Sequence, residues 1–143
     1  MNEDTISLLK ECNSGCKMAT NSIEQVLPYI KNDNLKSVIV GYNDKHIKIG
    51  DECHHMLNKS QEEEQDPPTM AKAFSWISTE MKLVINNDSH KIADLLIDGC
   101  NMGIKSVSAY INKYKSASEE SRALAKRLVG MEQEFLKELL EYL

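Results

Sequence analysis

The stretch SGCKMATNSI at 14–23 returns as DGCNMGIKSV at 98–107, with Gly15/Gly99, Cys16/Cys100, Met18/Met102 and Ser22/Ser106 identical. The likeness extends well beyond these residues. An apolar seam of Leu9, Cys12, Cys16, Ala19, Ile23, Val26 and Ile30 alternates steps of three and four, and Ala93, Leu96, Cys100, Gly103, Val107, Tyr110 and Tyr114 repeat it at a displacement of 84. Such a stripe is the signature of an amphipathic helix. A second seam, Leu35, Ile39, Tyr42, His46, Ile49, Cys53 and Met56, corresponds at a displacement of 89 to Leu124, Leu128, Met131, Phe135, Glu138 and Tyr142. Here VGYNDKHIK aligns with VGMEQEFLK, and Leu139 is expected to take the core place that Glu138 cannot fill.

Two helical hairpins follow one another, and neither can bury its stripe alone, so they must pack together. The turns KNDN at 31–34 and KSASEES at 115–121 separate the members of each hairpin, with Ser118 or Ser121 as N-cap of the last helix. Pro28 is expected to kink or fray the last turn of the first helix. Between the hairpins, the charged breaker QEEEQDPP precedes TMAKAFSWISTEMKLVI, whose stripe of Met70, Phe74, Ile77, Met81 and Val84 predicts a further helix. About 17 helical residues reach roughly 25 Å, enough to carry the chain from one end of a bundle to the other. Five helices are expected, at 4–30, 34–58, 69–86, 89–115 and 118–142, in one all-α domain over residues 1–143. The 69–86 helix is the crossover, and the helix after it runs parallel to the second.

That order of elements, and in particular PPTMAKAFSWISTEMKLVINNDSHKIADLLIDGCNMGIKSVSAYINKY, resembles the ferritin-like superfamily. Within it the chain looks like a member of an uncharacterised bacterial family of ferritin-like four-helix bundles. The resemblance implies two hairpins joined by a long crossover. In ferritin-like di-iron sites, two helices each supply a Glu and two each supply Glu-x-x-His. The resemblance also implies Glu after the glycine of the first and third bundle helices. This chain has Cys16 and Cys100 there, Asn43-x-x-His46 on the second bundle helix and Glu132-x-x-Phe135 on the fourth. One Glu and one His remain, so ferroxidase or peroxide-reducing di-iron chemistry is not expected.

Three readings of the altered layer remain open. Cys16, His46, Cys100 and Glu132 could enclose a single zinc or iron ion. Cys16 and Cys100 could form a disulfide. The layer could instead be inert packing, with no cofactor, small thiols beside Gly15 and Gly99 and a core histidine bonded to a carbonyl. Glu52-x-x-His55 in DECHH reads as a solvated helix end and Glu62 to Glu64 as a solvated linker, while Trp76 is a packing or dimer-contact residue.

The net charge of -5 without a clustered basic face argues against nucleic acid as a partner. No run approaches the ~18 apolar residues of a membrane span. The acidic start MNEDTISLLKE is unlike a signal peptide, and the four cysteines lack CxxC spacing, so a cytoplasmic protein is expected. Apolar residues outside the seams, Leu27, Leu83, Ile85 and Leu95, point to a homodimer. The sequence thus favours a structural or interaction protein over an enzyme, with a metal-binding or redox bundle as the alternative.

Overall fold

The computed structural model describes residues 1–59 and 88–143, and every regular element among them is helical. The expected helix at 69–86, with Trp76, Leu83 and Ile85, lies outside the described residues. Each helix starts on a side chain that satisfies otherwise unpaired backbone donors. In α1 (Glu3–Val26), Asn2 Oδ1 accepts from Thr5 N at 2.8 Å, and Glu3 and Asp4 place negative charge at the positive end of the helix dipole. For α2 (Asp33–Lys59), Asn32 Oδ1 accepts from Leu35 N at 3.0 Å. Asp88 caps α3 (Ser89–Lys113) by accepting from His90 N at 3.0 Å. Ser118 caps α4 (Glu119–Leu139) by accepting from Ser121 N at 3.2 Å.

The helix ends are equally specific. Pro28 has no N–H to donate, and α1 gives way there to a 3-10 turn over Leu27–Tyr29 before Ile30 turns extended. At the end of α3, Arg122 Nη1 donates to the carbonyls of Ile111 at 3.0 Å and Tyr114 at 3.3 Å. One guanidinium from α4 thus satisfies two carbonyls that α3 leaves open.

Three hydrogen bonds set the direction of the packing. Asn2 Nδ2 donates to Ser116 O at 2.7 Å, Asp4 Oδ2 accepts from Ser116 N at 2.9 Å, and Thr5 Oγ1 accepts from Ser118 N at 2.8 Å. The start of α1 therefore grips the α3–α4 turn, so α1 lies antiparallel to α3 and parallel to α4. α2 contacts α4 through His46 with Glu132 and Glu52 with Arg127, so these two run in opposite directions. It follows that α2 and α3 point the same way. α1 packs on α2, α3 and α4, and α4 packs on all three of the others.

The core follows the seams. All seven seam residues of α2 are buried, and in α1 all but Ala19, which is half-buried. In α4 Leu139 is buried and Glu138 exposed, as the sequence requires. α3 departs: Ile111 enters the core while Tyr110 and Tyr114 stay half-buried. Of the apolar residues outside the seams, Leu95 is buried and Leu27 half-buried, while Leu83 and Ile85 lie outside the described residues.

Candidate functional site

The layer singled out from sequence forms around Glu132. Its carboxylate and the Nε2 of His46 are in direct hydrogen-bond contact, and both residues are buried, at 6% and 1% exposure. The other ring nitrogen, Nδ1, is 2.7 Å from the carbonyl of Tyr42, one turn back along α2. A carbonyl can only accept, so Nδ1 carries a proton.

Glu132 reaches this position across a glycine. A Cβ on Gly103 of α3 would stand 3.4 Å from Oε2 and 3.5 Å from Cδ, so the helix presents bare backbone where the carboxylate lies. Cys100, one turn earlier on α3, forms a side-chain hydrogen bond with Glu132. Burial first, and the neighbouring carboxylate second, push its thiol well above the usual range. Phe135, one turn on from Glu132, stacks on Tyr42 with centroids 4.6 Å apart and meets the His46 ring edge-on at 6.2 Å. Lys45 Nζ stands 4.4 Å from the Tyr42 ring centroid. Burial and a hydrogen bond to Glu138 raise the Tyr42 hydroxyl.

Cys16 has different company. Burial raises its thiol most, followed by Cys53, Cys12 and Glu132. Its Cβ is 3.4 Å from where Gly50 of α2 would carry one, which marks close approach of α1 and α2. Glu132 thus meets His46 and Cys100 directly, whereas Cys16 feels its charge last, after burial, Cys53 and Cys12. All four cysteines are free and buried, so no disulfide joins Cys16 to Cys100. Among the described residues, no group of three or more His, Cys, Asp and Glu side chains is arranged to hold a metal ion. Buried protonated thiols are also poor ligands and nucleophiles until something removes the proton.

Two further buried polar groups carry no signal in the seam pattern. Asn13 Nδ2 and Asn43 Oδ1 are buried without a hydrogen-bond partner among the described residues. Asn43 was read only as a missing ligand, and Asn13 sits beside the seam, where periodicity alone puts it at the margin of the core. The other half-motif is engaged elsewhere: Glu52 accepts from Arg127 at 2.8 and 3.2 Å, which lowers its carboxyl, and His55 is exposed.

No protein-family model, no curated protein and no solved structure matches the chain. Among the described residues, no helix is long and apolar enough to cross a membrane.

Proposed function

We propose that the chain is a ferritin-like structural or interaction bundle, cytoplasmic and homodimeric, that has given up di-iron chemistry. One observation carries the reading: the single Glu and single His left in the layer are bound to each other. Phe135 fills the place of a second histidine and stacks on Tyr42. Support for the ferritin-like connectivity comes from the parallel course of α2 and α3 and from the grip of α1 on the α3–α4 turn. A carboxyl group satisfied by imidazole and thiol stabilises a closed core and leaves no open coordination position.

A second reading has its own support, since His46 and Cys100 both meet the Glu132 carboxyl group. With their thiol protons removed, Cys16 and Cys100 would join His46 and Glu132 as donors for one zinc or iron ion. Metal analysis of reduced protein after dialysis separates the readings. The bundle reading expects less than one ion per several chains. Stoichiometric zinc or iron, lost in both Cys16→Ser and Cys100→Ser, would establish the metal site instead.

A further inference from the structure

We propose that Cys12 of α1 and Cys53 of α2 form an oxidative cross-link site, in which a peroxide converts the two thiols into a disulfide that staples the first hairpin. The inference is independent of the function proposed above and concerns a different pair from the matched thiols of the repeat.

Register places the two sulfurs together. Cys16 lies directly across from Gly50, with only 3.4 Å between its Cβ and the position a Gly50 Cβ would take. Cys12 is four residues before Cys16, which turns it back about 40° and moves it about 6 Å along α1. Cys53 is three residues after Gly50, a turn of about 60° and a shift of about 4.5 Å along α2. Because the helices run in opposite directions, both shifts lead toward the same end of the hairpin and both rotations toward the same side. Cys12 therefore faces Cys53, whereas Cys16 is offset from it by most of a turn. Gly50 brings no side chain to this contact, so Cys16 packs against the backbone of α2 and holds the two helices together beside Cys12 and Cys53. Both residues are buried, at 1% and 0% exposure, and each thiol influences the ionisation of its neighbours in this cluster.

The step balances. One thiolate attacks a peroxide oxygen, the O–O bond breaks, hydroxide leaves, and the sulfur becomes a sulfenic acid. The second thiolate attacks that sulfur, the S–O bond breaks, hydroxide leaves, and the S–S bond forms. The sulfurs lose two electrons, the peroxide gains them, and the two thiol protons end in two waters. Burial pushes Cys12 up to about 12, so the reaction is slow at neutral pH and quickens in alkali. Once formed, the bond is shielded from reductants by the same burial.

The test is prolonged treatment of the folded full chain with hydrogen peroxide in mild alkali, followed by denaturation, alkylation of remaining thiols and peptide mapping. The expected product is an intramolecular disulfide that raises the thermal midpoint and is reduced only once the chain is denatured. It should persist in Cys16→Ser and Cys100→Ser and vanish in Cys12→Ser. Cys53→Ala serves as a second loss variant if the buried serine prevents folding. Four alkylatable thiols after treatment, a bond from Cys53 to Cys16, a bond from Cys16 to Cys100, or oxidation of Cys12 and Cys53 to separate oxyacids would each overturn the proposal.

Discussion

His46 of α2 and Glu132 of α4 are bound to one another inside the bundle, while the far nitrogen of the imidazole is held by the Tyr42 carbonyl. This relationship makes the two residues unequal. The histidine is anchored twice, within its own helix and across to α4. The carboxyl group depends on the histidine and on the weak donor of Cys100.

Glu132→Gln should therefore be mild, because its amide can donate to Nε2 and leave a neutral histidine with both nitrogens satisfied. A loss within about 1 kcal/mol is expected. His46→Leu should be severe, about 3 kcal/mol or more, since it strands a buried carboxyl group. Replacing both by apolar residues of similar volume should recover much of that loss. Urea unfolding of the three variants measures the order. Equal losses for the two single variants would contradict the asymmetry.

Thr5 is the hinge of the second relationship between distant parts of the chain. Its hydroxyl donates to Asn2 Oδ1 and accepts from Ser118 N, each at 2.8 Å, and the residue is buried. Thr5→Val keeps the shape and removes both bonds, leaving the Ser118 amide without its acceptor. The expected cost is about 1–3 kcal/mol. Hydrogen exchange at the Ser118 amide should accelerate more than the global loss explains, and unchanged protection there would refute the role.

Much of the bundle was legible because burial follows periodicity. Every seam residue of α2 is in the core, and the failure at Glu138 was repaired by Leu139 as the pattern demanded. The seam of α3 drifted for a physical reason: a straight helix gains about 20° per heptad on a strict 3.5-residue repeat, so about three turns beyond Cys100 the core position passes from Tyr110 to Ile111. Of the site, the meeting of the second and fourth bundle helices at His46 and Glu132 was legible, and its chemistry was not. Sequence brought Cys16, His46, Cys100 and Glu132 to one level, but could not show that Glu132 spends its carboxylate on His46. Nor could it show that Gly50 sets Cys16 close to α2. Those are matters of rotamer and interhelical distance, which no spacing encodes.

Gly99 and Gly130 stand in helices with nothing among the described residues within 4 Å of where a Cβ would be. Glycine in a helix costs up to about 1 kcal/mol relative to alanine, and no close approach among the described residues requires it here. Gly99→Ala and Gly130→Ala should each stabilise by about 0.5–1 kcal/mol, and the gains should add. Thermal unfolding at two protein concentrations checks this. A loss at either site that grows with concentration would instead reveal a second copy lying against that face.

The thiols make the fold sensitive to alkali. An unburied thiol ionises near 9.0, whereas Cys12 in the folded protein keeps its proton to about 12, held there by burial and then by the charge of Glu11. Between those values the folded state binds more protons than the unfolded chain. Stability contributed by this proton is fully present below about pH 9 and declines as pH rises toward 12. Each such thiol contributes a slope approaching about 1.4 kcal/mol per pH unit, and Cys16, Cys53 and Cys100 are raised in the same direction. Urea unfolding from about pH 8 to 11 should show a steep fall in the midpoint that begins near pH 9. Cys12→Ala should start from lower stability, because it opens a small cavity, but decline less steeply. A slope unchanged by that substitution would mean that Cys12 ionises alike in the folded and unfolded chains.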